Sequence, residues 1–168
     1  MLGKILSKES CANCRVCCIF DREDVWEMPL VSKELKAYIT NRSDADVKLT
    51  PVGGEYRFDV EFKDGEELVS CPMLTDTGCS LGDNKPFDCR IWPFRIMRIK
   101  DNLCGITVSP VCECVSALSV AQLSDFLINH KHENGKALYE IIAGYAVIHT
   151  DIIKPYIDDY PILKLVRL

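Results

Sequence analysis

The chain has 168 residues, of which 48% are hydrophobic and 27% charged, and its formal net charge is −5. This length and composition predict one folded domain over residues 1–168 and exclude disordered and collagen-like chains. The negative charge and a pI near 5.2 argue against nucleic-acid binding, which needs a basic surface.

The N-terminal part of the chain begins with a dense group of cysteines. Residues 11–18 contain four of them, so this segment is predicted to be a cysteine knuckle, a tight turn that aims sulfur atoms inward. Val31–Arg42 is predicted as a helix, because Ser32 is a good N-cap and Leu35 and Ile39 lie four residues apart on one face.

A predicted hairpin follows. Apolar and polar residues alternate over Glu55–Phe62, which indicates a half-buried strand. Residues 63–66 contain Asp-Gly, a pair that favours a tight turn, so Glu67–Ser70 is predicted to be the return strand. The preceding Val52-Gly53-Gly54 is also predicted to be a turn.

Residues 71–89 are rich in Pro, Gly, Asp, Asn and Thr, which predicts a loop with little hydrophobic burial of its own. Something other than an apolar core must therefore order this loop. Two apolar segments come next, Ile91–Ile99 and Leu103–Val108, and Asp101-Asn102 between them predicts a second hairpin.

The C-terminal part, 119–157, is predicted to be helical. Ser119 and Gln122 have the spacing of a capping box, and apolar residues at helical spacing continue to about His132. A second helix is predicted over Lys136–Thr150. The predicted fold class is α+β: small antiparallel hairpins with irregular cysteine-rich metal-binding loops, packed against the C-terminal helices.

The most informative count is ten cysteines. The N-terminus lacks the apolar segment of a signal peptide, and no apolar stretch is long enough to span a membrane, so a cytoplasmic protein is expected. Because the cytosol keeps thiols reduced, metal ligation is favoured over a disulfide framework or inert buried cysteines. Residues 11–114 are therefore predicted to be a metal-binding region that holds an iron–sulfur cluster or zinc.

The cysteine count favours two four-thiolate centres. Cys11, Cys14 and Cys17 follow a C-x2-C-x2-C spacing that suits one centre, and Cys18 follows at once. Because neighbouring side chains seldom point the same way, Cys17 and Cys18 are expected to belong to different centres. The predicted metal ligands are Cys11, Cys14, Cys17, Cys18, Cys71, Cys79, Cys89 and Cys112, with Cys114 as a further candidate.

Other residues of this region have two interpretations each. Cys104 lies inside a predicted strand and is expected to be a small buried side chain rather than a ligand. Arg90, Lys85 and Arg15 lie near predicted ligands in the sequence. They either offset the negative charge of the thiolates or are ordinary solvated charges.

An ordered set of motifs resembles the CxxCxxCC cysteine-cluster family, also called YkgJ-type, over residues 11–114. The motifs are Cys11-Ala-Asn-Cys14-Arg-Val-Cys17-Cys18, Cys71-Pro72-Met-Leu74, Gly78-Cys79 and Pro86-Phe-Asp-Cys89-Arg90-Ile-Trp-Pro93-Phe94. The resemblance implies zinc or iron chelation and a relation to the longer flagellin lysine-N-methylases. Lys85 stands where the family often has Arg, and Cys104 and Cys114 are additional to the usual eight, so the last ligand stays open between Cys112 and Cys114.

Three functions are compatible with these observations. The favoured one is a metal-binding protein with a redox or accessory role to a partner enzyme. The alternatives are a metal-dependent enzyme that modifies proteins or peptides, related to flagellin lysine-N-methylase, and a zinc-stabilised structural interaction module. Catalytic residues are unassigned, because there is no catalytic motif beyond the cysteine cluster. The expected partners are metal ions and a partner enzyme or protein, without nucleic acid or membrane.

Overall fold

The computed structural model describes residues 7–42, 47–132 and 134–168. The chain divides into two compact units, an N-terminal unit, Leu2–Arg90, and a C-terminal unit, Ile91–Leu168. The boundary falls inside the predicted metal-binding region 11–114. The predicted α+β class is confirmed, since the described residues form both α-helices and small antiparallel sheets.

The regular elements are short. The helices are α1 Lys8–Cys14, α2 Lys33–Thr40, α3 Phe87–Ile91, α4 Glu113–Ser116, α5 Val120–Asn129 and α6 Leu138–Ile148. The strands are β1 Ile19–Asp21, β2 Leu30–Val31, β3 Leu49–Val52, β4 Glu55–Phe58, β5 Leu68–Ser70, β6 Leu74–Thr75, β7 Gly78–Cys79, β8 Phe94–Lys100, β9 Leu103–Val108 and β10 Ile162–Arg167. No helix within the described ranges is both long and apolar enough to cross a lipid bilayer.

The N-terminal unit is built from α2 and three small antiparallel sheets, β2-β4-β3, β1-β5 and β6-β7. The predicted helix is confirmed in α2: Ser32 is its N-cap, and the Ser32 hydroxyl accepts the Leu35 N–H at 3.2 Å. These elements surround one cluster of buried side chains, which consists of Phe20, Met28, Val31, Ile39, Phe58, Met73 and Leu81.

The predicted hairpin between Glu55–Phe62 and Glu67–Ser70 is wrong. Strand β4 ends at Phe58 and pairs with β2 and β3, while β5 pairs with β1. Two turn sequences flank β4, and both form turns: Gly53 and Gly54 have φ values of 52° and 83°, and the Glu66 N–H donates to the Lys63 carbonyl. Positive φ at both central residues of a two-residue turn matches the twist of the two strands of a hairpin. The hairpin therefore forms at Gly53-Gly54, where β4 pairs with β3, and not at residues 63–66. In the centre of a three-stranded sheet, β4 also buries Phe58 in the core.

The C-terminal unit contains the sheet β10-β9-β8 with α4, α5 and α6. The second predicted hairpin is confirmed as β8 and β9, joined at Asp101-Asn102. Strand β10, which was not predicted, pairs with the other edge of β9, where Val166 lies opposite Cys104.

Both predicted C-terminal helices are present, as α5 and α6. The capping box at the start of α5 is confirmed, because the Ser119 hydroxyl accepts the Gln122 N–H and the Gln122 side chain accepts the Ser119 N–H. Helix α5 contacts α6 and β10, and α6 contacts β8. The rings of Phe94 on β8 and Phe126 on α5 stack with centroids 6.2 Å apart.

Candidate metal centre

Helix α1 carries the first two cysteines, where the sequence predicted a knuckle. Ser7 caps this helix, and its hydroxyl accepts the Ser10 N–H at 3.0 Å. Residues three apart in a helix are neighbours on one face. Cys11 and Cys14 therefore lie one turn apart on the same side of α1.

Arg15 ends α1 and connects it to a second cysteine-bearing segment. Its φ of 57° lies in the left-handed region, which stops the helix, and its N–H donates to the Cys11 carbonyl at 3.1 Å. The guanidinium donates to the Ala12 carbonyl at 2.8 Å and to the Asp76 carbonyl at 2.5 Å. Asp76 lies in the turn between β6 and β7, so Arg15 ties the end of α1 to the hairpin that carries Cys79.

The vicinal cysteines point to the same side. Cys17 and Cys18 lie in a 3-10 turn, Val16–Cys18, and their sulfur atoms are 4.0 Å apart. Two sulfurs of a tetrahedral site with bonds of 2.3 Å are separated by about 3.8 Å. Cys17 and Cys18 were expected to belong to different centres because their side chains were expected to diverge. The side chains do not diverge, so that reason is wrong, and this geometry suits one shared centre.

Pairing of β1 with β5 brings Cys18 and Cys71 together from distant parts of the sequence. Ile19 lies opposite Ser70 in this ladder, so the flanking residues Cys18 and Cys71 are also opposite. The Cys71 N–H donates to the Cys18 carbonyl at 2.7 Å. This hydrogen bond fixes the two backbones against each other at the level of the thiols.

The short hairpin β6–β7 adds Cys79 to the same neighbourhood. Cys79 lies opposite Leu74, whose N–H donates to the Cys71 carbonyl at 2.9 Å. A Cβ placed on Gly78 would lie 3.7 Å from the Cβ of Ala12, so α1 passes close to β7. Cys71 and Cys79 are half-buried and pack against the core of the unit.

The thiols of these segments are close enough to affect one another's protonation. Burial is the largest cause that raises the pKa of Cys71 to about 12, and charge on Cys18 and Cys79 raises it too. Burial also raises the pKa of Cys89 well above its ordinary value, with further contributions from Asp88, Cys71, Cys18 and Cys79. Cys89 on α3 therefore belongs to the same electrostatic group as the cysteines of residues 18–79.

The hydrogen bond between Cys17 and Cys18 moves the pKa values of these two thiols in opposite directions. It is the largest cause that raises the pKa of Cys17 and lowers the pKa of Cys18 to about 7. Lys85 also lowers the pKa of Cys18, whereas charge on Cys89 and Cys11 raises the pKa of Cys17. Cys18 is consequently the member of the pair that ionises first.

Two basic side chains oppose the accumulation of negative charge. Burial raises the pKa of Cys79, and Lys85 and Arg42 both lower it. Arg42 is held beside this cysteine because its guanidinium donates to the Ser80 carbonyl at 2.9 Å. Lys85 was proposed from the sequence, whereas Arg42 was missed because it reaches Ser80 only through the fold and has no local signal.

The remaining cysteines lie in the C-terminal unit. Cys104 on β9 is fully buried, as expected for a small side chain of the core. Cys112 is the N-cap residue of α4, and Cys114 is in the first turn of that helix. Burial raises the pKa of Cys112, and a hydrogen bond from the Trp92 side chain partly opposes this change.

Seven predicted ligands lie in the N-terminal unit, one fewer than two four-thiolate centres require: Cys11, Cys14, Cys17, Cys18, Cys71, Cys79 and Cys89. None of the ten cysteines forms a disulfide. Across residues 7–42, 47–132 and 134–168, no three His, Cys, Asp or Glu side chains have an arrangement that would hold a metal ion. Thiolates are nevertheless the donors that zinc and iron–sulfur clusters favour, so the donor set fits either group, and ligation stays a prediction.

Comparison with known proteins found no matching family model, no matching curated protein and no matching solved structure. The resemblance to the CxxCxxCC family therefore stays a prediction that rests on the motifs of residues 11–114.

Proposed function

We propose that this protein binds a thiolate-ligated metal centre, an iron–sulfur cluster or zinc, and that it has a redox or accessory role to a partner enzyme. The observation that carries the proposal is the meeting of three cysteines at one place in the N-terminal unit. The sulfurs of Cys17 and Cys18 are 4.0 Å apart, and Cys18 is hydrogen-bonded through its backbone to Cys71.

The centre is assigned to the thiols whose charges act on one another. These are Cys17, Cys18, Cys71, Cys79 and Cys89, with Cys11 acting on Cys17 and Cys14 one helical turn from Cys11. A four-thiolate centre uses four of these positions. When bound, zinc would supply a cross-link between the segments, and an iron–sulfur cluster would supply one-electron redox chemistry.

The architecture of the N-terminal unit supports a stabilising centre. The strands β6 and β7 that position Cys79 have two residues each, and β1 and β5 that position Cys18 and Cys71 have three each. Such short ladders are marginal without further cross-links, and small domains commonly use metals or disulfides as staples. A structural zinc site contributes on the order of 10 kcal/mol or more to folding in small peptides.

The local charge also supports this assignment. A metal centre with four thiolates is negatively charged overall, and nearby cations stabilise it. Lys85 acts on Cys18 and Cys79, and Arg42 acts on Cys79. The two cations therefore lie where the charge of such a centre would develop.

Metal analysis tests the proposal directly. Protein purified without oxygen is analysed for iron, zinc and acid-labile sulfide, and its visible absorption is recorded. We expect bound iron with sulfide and colour, or bound zinc in a colourless protein. Cys18→Ser and Cys71→Ser should lose most of the metal, because each removes a thiol from the proposed centre.

Cys104→Ala is the matched control, because it removes a buried thiol that is outside the proposed centre. It should retain the wild-type metal content. A wild-type protein that is fully folded, never exposed to air and free of both metals would refute the proposal.

The redox role requires one additional measurement. Electron paramagnetic resonance before and after chemical reduction should show a signal that appears or disappears if the centre carries an electron. A colourless zinc protein without such a signal would exclude the redox role and would still be compatible with the accessory role. We also propose a cytoplasmic location, where thiols are kept reduced, and cell fractionation tests it.

A further inference from the structure

The two cysteines that flank the two-stranded β1–β5 ribbon lie directly opposite each other. Ile19 of β1 is paired with Ser70 of β5, so Cys18 and Cys71 form the next pair of the ladder. The Cys71 N–H donates to the Cys18 carbonyl at 2.7 Å, whereas the Cys18 N–H donates to the Arg15 carbonyl at 2.8 Å. One of the two bonds of a hydrogen-bonded antiparallel pair is therefore present at this position.

Both thiols belong to the side of the ribbon that faces the core of the N-terminal unit. Phe20 is buried in that core, and Val69 and Cys71 pack against it. Because the backbone of Ile19 is extended and side chains alternate along extended backbone, Cys18 shares the side of Phe20. Cys18 and Cys71 also interact electrostatically. Both residues are half-buried, so small solutes can reach them.

The spacing of opposite residues in this ladder matches the spacing of bridged cysteines. In a hydrogen-bonded antiparallel pair the two Cα atoms are about 5.5 Å apart, which is close to the commonest Cα separation in disulfides. Cys17 is the other candidate partner of Cys18, because their sulfurs are 4.0 Å apart. The Cα atoms of these neighbours are only about 3.8 Å apart, which is shorter than the usual range, so a bridge between them would be strained. Cys79 lies opposite Leu74, so Cys71 is the favoured partner of Cys18.

We propose that Cys18 and Cys71 form a reversible cross-strand disulfide when no metal is bound, and that the oxidant is a small disulfide of the glutathione type. The bridge uses two thiols of the proposed metal centre, so oxidation and metal binding compete for them. This competition rests on the proposed function, whereas the disulfide itself does not.

The reaction proceeds by two thiol–disulfide exchanges. The thiolate of one cysteine attacks a sulfur of glutathione disulfide, so a mixed disulfide forms and one glutathione leaves as a thiolate. The thiolate of the other cysteine then attacks the protein sulfur of the mixed disulfide and releases the second glutathione. The two protein thiols lose two protons and two electrons, and one glutathione disulfide is reduced to two glutathione molecules.

Disulfide mapping tests the pairing. The metal-free protein is prepared with a chelator and a reductant without oxygen, and the reductant is removed before glutathione disulfide is added. Free thiols are alkylated, and mass spectrometry of a non-reducing digest identifies the bridged residues by peptide fragmentation. We expect Cys18–Cys71 to be the main bridge in native buffer. In concentrated urea, where the ladder is absent, the cysteines should pair without this preference, and the same mixture in native buffer would overturn the proposal.

Substitutions separate the two possible partners of Cys18. Cys71→Ser should lose the bridge, and Cys17→Ser should retain it, although the Cys17 sulfur is 4.0 Å from that of Cys18. Cys104→Ala is the control, because Cys104 is fully buried on β9, and this variant should form the bridge at the wild-type rate. A main bridge between Cys17 and Cys18, or wild type that stays fully reduced in excess glutathione disulfide, would overturn the proposal.

The competition with metal is measured with zinc. Wild type reloaded with zinc should form the bridge about tenfold or more slowly than the metal-free protein, because metal-bound thiolates are held away from the oxidant. The bridged protein should bind zinc again only after reduction. Equal rates with and without zinc, in a protein that binds zinc, would overturn the competition. A protein without affinity for metal that still forms the Cys18–Cys71 bridge would refute the proposed function and support the disulfide.

Discussion

Arg15 combines an uncommon backbone conformation with two side-chain hydrogen bonds. Its φ of 57° is unfavourable for a residue with a Cβ, and its guanidinium contacts the Ala12 and Asp76 carbonyls. A glycine at this position would end α1 without strain, yet it would not tie α1 to the β6–β7 hairpin. Arg15 therefore ends helix α1 and also holds the segments that carry Cys11 and Cys79 next to each other.

Two substitutions separate strain from side-chain bonding at Arg15. Arg15→Ala and Arg15→Gly lose the same hydrogen bonds, but only glycine relieves the left-handed strain. We expect the free energy of unfolding of Arg15→Gly to exceed that of Arg15→Ala by about 1 kcal/mol. Urea-induced unfolding under reducing conditions measures the difference.

The control for Arg15 lies in the middle of α2. Ala37→Gly at this exposed helical position should lower the free energy of unfolding by about 1 kcal/mol. Alanine is thus favoured over glycine at position 37, whereas glycine is favoured over alanine at position 15. Equal stability of the two Arg15 variants would contradict the left-handed conformation at this residue.

Spacing and residue type predicted which thiols form the candidate site, but not their mutual orientation. Cys17 and Cys18 were expected to diverge, as neighbours in a strand do. They lie instead in a 3-10 turn, where successive side chains are about 120° apart and their sulfurs reach 4.0 Å. The charge of Arg42 at Cys79 also depends on tertiary folding, so no local pattern reveals it.

At the scale of elements, the turn at Gly53-Gly54 decides how β4 is paired. The φ of Gly54 is 83°, and a Cβ at this position would have nothing within 4 Å. A substitution there is therefore penalised by backbone strain and not by a clash. Gly54→Ala should lower the free energy of unfolding by about 1 kcal/mol, measured by urea denaturation.

Gly53→Asn is the matched substitution in the same turn. Asn is the residue that type I′ turns favour before glycine, so this variant should be as stable as wild type or slightly more stable. Equal destabilisation by Gly54→Ala and Gly53→Asn would contradict the positive φ values of both glycines in the turn between β3 and β4.

Elements with strong local signals were predicted, and those defined by partners were not. Ser32 and Ser119 supply caps, so α2 and α5 were recognised from sequence. Pairing of β4 with β3 was missed, because the turn at 63–66 has an equally good local signal, and the sequence alone does not give the φ values at Gly53 and Gly54 that join β3 to β4. β10 was missed because its order comes from pairing with β9, which is far away in the sequence.

The whole molecule contains two compact units, a division that chain length does not predict. Apolar fraction and element types indicated α+β correctly, since these are properties of average composition and periodicity. The partition at Arg90 and Ile91 depends on which long-range contacts form. It separates seven of the predicted ligands from Cys112 and Cys114.

Metal removal should therefore act unevenly along the chain. If a centre cross-links the cysteine segments of the N-terminal unit, a chelator under oxygen-free reducing conditions should increase amide exchange in β1 and β5 by about tenfold or more. The amides of β8 and β9 should change much less, because their ladder has no predicted ligand and its cysteine, Cys104, is not assigned to the centre. Hydrogen exchange with mass spectrometry measures both regions in one experiment.

Cys104→Ala serves as the control for this experiment and should show the same uneven response as wild type. A uniform increase over both units would contradict the prediction and would mean that the chain unfolds as one cooperative body. Absence of any change would mean that no metal supports β1 and β5.

The hydrogen bond from the Cys71 N–H to the Cys18 carbonyl limits where the chain can change in length. Because side chains alternate along a strand, one residue inserted into β1 or β5 would carry a cysteine to the opposite face of the ribbon. The turn at 63–66 lies outside every ladder, and a longer loop there costs little. Related chains are therefore expected to accept insertions near Asp64-Gly65 and to keep the lengths of β1 and β5 constant.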